Sequence, residues 1–105
     1  MRPLKLRITA KAETDLSEIW AYIAQESPQA ATSFVNQIAQ HFEPLLHHPE
    51  IGPSRADLAA GLRVHFHRNY AIYYTFTNTE LIIVHVVHGA RDVAALFSDQ
   101  DEEEN

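Results

Sequence analysis

The sequence predicts an α+β two-layer domain: an N-terminal strand, a helical hairpin, then a three-stranded antiparallel meander. Three observations carry that expectation. Leu4 to Ile8 alternates apolar and basic residues, apolar residues from Ala12 to Leu46 recur with helical spacing, and from Leu62 onward the spacing drops to two. At 105 residues, 46% of them hydrophobic, the chain suits a single domain that buries about two-thirds of its unfolded surface.

Leu4-Lys5-Leu6-Arg7-Ile8 reads as a strand with Leu4, Leu6 and Ile8 turned inward. Thr9 is placed to cap a helix over residues 10–26, on which Ala12, Leu16, Ile19, Trp20 and Ile23 trace one face. Glu13, Asp15 and Glu18 sit towards its N-terminal half, where the helix dipole attracts anions. Trp20 is expected in the core. Ser27-Pro28 restarts the chain, a capping serine followed by a proline at the first helical position. The second helix sets Ala31, Phe34, Val35, Ile38, Phe42, Leu45 and Leu46 on one face. Pro44 lacks a backbone donor, so this helix should kink or end early. His48-Pro49-Glu50-Ile51-Gly52-Pro53-Ser54 is a loop by its punctuation and runs on to Gly61.

Leu62, Val64 and Phe66 then alternate with Arg63, His65 and His67, so Arg63 is expected to point away from the helices. Arg68-Asn69 suits a tight turn. Ile72 and Tyr74 should enter the core, leaving Tyr73 as a contact residue on an opposite, partly open face. Asn78-Thr79-Glu80 turns the chain again, and residues 81–87 are apolar enough for a central strand covered on both sides. Gly89 ends it, and residues 91–97 suit a last short helical turn. Residues 1–98 form the expected domain and 99–105 an acidic, disordered tail.

The formal charge of −6 is uneven. Asp99, Asp101, Glu102, Glu103 and Glu104 all lie in the tail; without them eight Lys and Arg face nine carboxylates. Proteins that grip nucleic acid backbones carry a clear basic excess, so no direct nucleic acid partner is expected. No apolar run approaches the roughly 20 residues of a membrane helix, and nothing resembles a secretory leader. With no cysteine there are no disulfides or thiolate metal sites, which fits a cytoplasmic protein. His65-x-His67 sets two imidazoles on one strand face, and His85 or His88 could supply a third ligand. A zinc site needs at least three convergent ligands, and His47-His48 diverge, so no metal and no cofactor are expected.

Several ordered motifs resemble the RelE/ParE toxin superfamily, and its ParE branch in particular. They are Ala12-x-x-Asp15-Leu16-x-x-Ile19-Trp20-x-Tyr22-Ile23, Ser27-Pro28-x-Ala30-Ala31, Pro49-x-Ile51-Gly52, Gly61-Leu62-Arg63, Tyr70-x-Ile72-Tyr73-Tyr74, and Val87-x-Gly89-Ala90-Arg91-Asp92 with Leu96-Phe97. The resemblance spans about residues 4 to 98 and implies the toxin of a type II toxin–antitoxin system, neutralised by a cognate antitoxin. ParE-like members poison DNA gyrase; RelE-like members cut messenger RNA on the ribosome; both share the fold, which therefore does not choose between them.

A nuclease needs cations at the scissile phosphate and groups that move protons. Arg63 and Arg91 match family arginines and His88 could act as a base, so these three would be the catalytic set of a RelE-like enzyme. Phe97 stands where a C-terminal tyrosine would be wanted, and phenylalanine carries no proton. The favoured expectation is therefore an inhibitor of DNA gyrase without catalytic residues, with Arg63, Tyr73, His88, Arg91, Asp92 and Phe97 contacting the target. A ribosome-dependent ribonuclease and an inactive antitoxin-binding module are the alternatives. In all three the antitoxin's disordered C-terminal segment should fold on the toxin, in a groove beside the helical hairpin near Trp20, Tyr22 and Phe34.

Overall fold

The computed structural model describes residues 2–97. The elements run β1 (Lys5–Ile8), α1 (Ala10–Ala24), α2 (Pro28–Gln40), α3 (Phe42–His47), a 3-10 turn (Pro49–Ile51), β2 (Arg63–His67), β3 (Tyr70–Phe76) and β4 (Glu80–His88). They build one four-stranded sheet in the order β1-β4-β3-β2. β1 runs parallel to β4, and the other two pairings are antiparallel. The expected acidic tail, together with Ser98, lies outside the described residues.

The helix starts follow from their caps. Thr9 Oγ1 accepts from the Ala12 amide at 3.1 Å and donates to Val84 O at 3.1 Å, so one hydroxyl starts α1 and ties it to the sheet. Ser27 Oγ accepts from the Ala30 amide at 3.1 Å, with Pro28 opening α2. The expected break near Pro44 falls just before it. A proline ring clashes with the carbonyl four residues back, which here belongs to Gln40, the last residue of α2. His41 takes up the break, and Pro44 sits in the first turn of α3, where a missing amide costs little. The β2–β3 connection is a two-residue turn, with Arg68 at φ +54.

Two apolar clusters flank the sheet. On the helical side Ala12, Ile19, Ile38, Phe42 and Leu45 pack on Ile72, Tyr74, Leu81, Ile83 and Val86. The opposite side is not open. Leu62, Val64, Ala71, Tyr73, Val84, Val87 and Phe97 form a second buried cluster, roofed by Leu58, Ala59, Val93 and Leu96 from the loop and the C-terminal segment. This corrects two expectations. Tyr73 is 3% exposed, a core residue and not a surface contact. Arg63 lies on the helical side, because it pairs directly with Tyr74, and directly paired residues share a face. Alternation in β2 had set the parity correctly but the side wrongly: its apolar residues serve the second core. Leu6 is also less buried than its pattern implies, 44% exposed on the edge strand β1, and Phe66 is exposed near the end of β2.

A β-bulge interrupts the β3–β4 ladder. Tyr73 pairs with His85 and Tyr74 with Ile83, so Val84 has no partner of its own. The extra residue shifts the alternation and brings His85 opposite Tyr73.

Arg63 has a defined structural task. Its Nη1 donates to Glu50 O at 3.0 Å and to Gly52 O at 2.7 Å. Beside it Tyr74 Oη donates to Pro49 O at 2.6 Å and accepts from the Gly52 amide at 3.0 Å. Burial pushes the Tyr74 phenol above its usual range, so it stays a donor. Three separated motifs thus lock one loop onto the sheet. Gly52 can be nothing larger: a Cβ there would lie 2.5 Å from both Tyr74 Oη and Val64 O. Tyr74→Phe strands two backbone groups and should lower the unfolding free energy by about 1–3 kcal/mol in urea titrations. Gly52→Ala should cost about 3 kcal/mol or more, since one clashing atom is backbone. Unchanged urea midpoints for both would show that the loop is not held this way.

Candidate functional site

β1 is only four residues long and stops where Ile8 faces Ile83, so the C-terminal half of β4 has no strand beside it on that edge. Helix α1 follows directly and passes that edge. A row of its residues, Lys11, Asp15, Glu18 and Tyr22, recurs at steps of four, three and four beside the apolar stripe, and so shares one flank of the helix.

Asp15 replaces the missing strand. Its Oδ2 accepts from the Val86 amide at 2.9 Å and from His85 Nδ1 at 2.8 Å, with both side chains nearly buried. This fixes the proton of a neutral His85 on Nδ1. Nε2 is buried without a hydrogen-bond partner among the described residues, and the His85 and Phe97 rings meet edge to face with centroids 5.5 Å apart. This pair was not expected from the sequence, although the spacing of the α1 row was there to be read; the bulge that presents His85 has no such signal.

The row opens onto two adjoining clefts. One, of about 320 Å3, is lined by Lys11, Thr14, Asp15, Glu18, His85 and Arg91. The other, of about 150 Å3, runs past Glu18, Tyr22, Tyr70, Val87, His88 and Arg91. Of the residues expected to meet a target, His88 and Arg91 come together here, both exposed. The Arg91 guanidinium forms no hydrogen bond or ion pair among the described residues, while its amide closes a turn to His88 O at 3.0 Å. His88 Nδ1 accepts from the Ala90 amide at 3.1 Å, and its ring meets Tyr70 edge-on at 5.4 Å. Asp92 Oδ1 accepts from the Ala94 amide at 3.2 Å and so caps the helical turn at 94–97.

The other three expected contacts are elsewhere. Phe97 is 4% exposed and meets Tyr73 edge-on at 5.3 Å; the apolar roof holds a ring there, which corrects its placement on the surface. Tyr73 is buried with it, and Arg63 is held by the loop carbonyls. The hairpin aromatics also separate. Trp20 is 40% exposed instead of being core, because it faces α2 above the sheet and donates Nε1–H to Thr32 Oγ1 at 3.1 Å. Tyr22, 72% exposed, belongs to the cleft. Phe34 is half-buried against Tyr70 and His67. The neighbour of His65 and His67 is His41, not His85 or His88, and among the described residues no three His, Asp or Glu converge as metal ligands.

Comparison with known proteins gives a consistent assignment. The family model described as ParE toxin of type II toxin-antitoxin system, parDE, matches residues 6–93. A solved structure of the chromosomal ParDE TA system from P. aeruginosa superposes with TM-score 0.69 at 24% identity, over 81% of this chain and 95% of that one. The toxin-antitoxin complex RelBE2 from Mycobacterium tuberculosis gives 0.58 at 24% identity, over 82% and 98%. At that identity the two structures show the shared fold. No curated protein gives a significant match.

Two substitutions separate holding residues from contact residues. Phe97→Ala should cost about 3–5 kcal/mol of stability, as expected of a buried ring and not of a surface contact. Asp15→Ala should cost about 2–4 kcal/mol, because it removes two hydrogen bonds to a carboxylate at once. Chemical denaturation checks both; a loss under about 0.5 kcal/mol at either position would place that residue outside the packing described.

Proposed function

Given that the chain belongs to the ParE toxin family of type II toxin–antitoxin systems, we propose that it stops growth in the cytoplasm by binding DNA gyrase through its protein surface, and that a cognate antitoxin neutralises it. The observation that carries this is the cleft beside the unpaired half of β4, where Tyr22, His88 and Arg91 are exposed around one depression. Aromatic and arginine side chains on a rigid frame are the groups that dominate protein–protein affinity. Arg91 offers a cation that no described residue pairs with, and Asp92 stands beside it. The near-neutral body carries no excess of cations for a nucleic acid backbone, which favours a protein target. Arg63, the other arginine a RelE-like nuclease would need, is engaged by the Glu50 and Gly52 carbonyls, which counts against the cleavage reading.

The antitoxin reading rests on the same end of the molecule. Tyr22 exposes its ring at the cleft, whose wall includes Tyr70 packed on Phe34, while Trp20 is exposed where α1 faces α2. An amphipathic segment, disordered until bound, would lay its apolar side there and cover the cleft as it folds.

Induction of the chain alone tests the proposal. Wild type should give broken chromosomal DNA and filamentous cells. Arg91→Ala and His88→Ala should each restore colony counts by about tenfold or more, the effect of losing some 1.4 kcal/mol of target binding, with the thermal midpoint of Arg91→Ala unchanged. Intact DNA accompanied by cleaved ribosome-bound message would replace the proposal with a RelE-like nuclease, and harmless expression would leave an inactive module. Co-purification should yield a small protein encoded next to this chain.

A further inference from the structure

The helical layer meets the outer strand β2 through histidines. His41 stands at the α2–α3 break, while His65 and His67 share the helical face of β2. His41 Nδ1 lies 3.0 Å from His65 Nε2, and the His41 ring centroid lies 5.1 Å from His65 and 4.5 Å from His67. His67 Nε2 reaches Gln37 Oε1 at 3.3 Å, and Phe34 packs on its other side at 5.5 Å. A hydrogen bond between two imidazoles needs one N–H and one lone pair, so His41 and His65 cannot both be charged and keep it.

No carboxylate among the described residues is hydrogen-bonded or ion-paired to any of the three rings. On α3, Glu43 pairs with His47 at 3.4 Å. On β2, Arg63 is turned to the loop carbonyls. Arg68 in the hairpin turn adds positive charge next to His67. On β3, Tyr70 and Tyr74 are the titratable neighbours, and His88 stands beyond Tyr70.

We propose that His41, His65 and His67 form a proton-released latch that holds the α2–α3 joint against β2 when the rings are neutral and frees it when they become charged. Burial, and then the charge of His41, hold His65 and His67 below the usual histidine range, with His67 adding to the effect on His65 and Arg68 to that on His67. The sign follows from linkage. The folded state takes up protons less readily than the unfolded chain, so the stabilisation is complete above the ordinary histidine value of about 6.5 and is lost as pH falls from there through the lowered folded values. The rings bond and pack with one another and with Phe34 and Gln37 of α2, so the weakness is local, and local release precedes global unfolding.

Histidine-resolved NMR with amide exchange tests this on the full chain, with chelator present so that no metal bridges the rings. The His65 and His67 midpoints should fall below about 6.5. Exchange in α3 and β2, corrected for intrinsic rates, should rise about tenfold or more between pH 7.5 and 5.5, while β4 changes little. His65→Gln should remove most of that rise; His41→Gln tests the same pair from the helical side if the first variant folds poorly. Midpoints at the free-imidazole value, or an exchange rise spread evenly over the molecule, would overturn the latch.

Discussion

The carboxylate of Asp15 is the constraint around which the molecule is arranged. A four-residue β1 cannot accompany a nine-residue β4 to its end, so half of an interior strand would be left with one bare edge inside the fold. Buried backbone donors without partners are rare because each costs about as much as a lost hydrogen bond. Asp15 accepts from the Val86 amide and also from His85 Nδ1, so one oxygen stands in for the strand. The consequence reaches outward. Fixing Asp15 fixes the roll of α1, and the roll brings Lys11, Glu18 and Tyr22 to the cleft while sending Ile19 into the core and Trp20 towards α2. The cleft where the proposed contacts gather is thus a by-product of how a short strand is completed.

The element order and caps were legible because they are local. Thr9, Ser27-Pro28 and Pro44 act through hydrogen bonds and ring clashes within one helical turn, and Arg68-Asn69 sits in a two-residue turn, so no tertiary information was needed. Faces were not legible in the same way. Period two tells which residues of β2 share a side but not which side the helices take, and this sheet is covered on both. The second cover comes from Leu58, Ala59, Val93, Leu96 and Phe97, short apolar stretches in segments with little regular structure, which have no period to betray them. Tyr73 was therefore assigned to an open face and Phe97 to a contact surface. The bulge at Val84 adds one residue to the alternation, which hides the meeting of His85 with Asp15 across 70 positions.

Residues shared with a toxin family need not touch what the toxin binds. Arg63 belongs to the motif set that carries the resemblance, yet its guanidinium is spent on the carbonyls of a loop whose glycine admits no side chain. Tyr74 and Gly52 complete that lock, and Asp15 with His85 forms the other. These residues specify a frame, and a frame can serve several targets. What distinguishes members must then lie among side chains the frame leaves idle. Here those are the Arg91 cation and the Tyr22 phenol, which sit on separate segments yet line the same cleft as the His88 ring that Ala90 and Tyr70 hold. Positions that hold no fold contact are free to change with the target, whereas a change at Arg63 or Asp15 is resisted by stability before binding is ever tested.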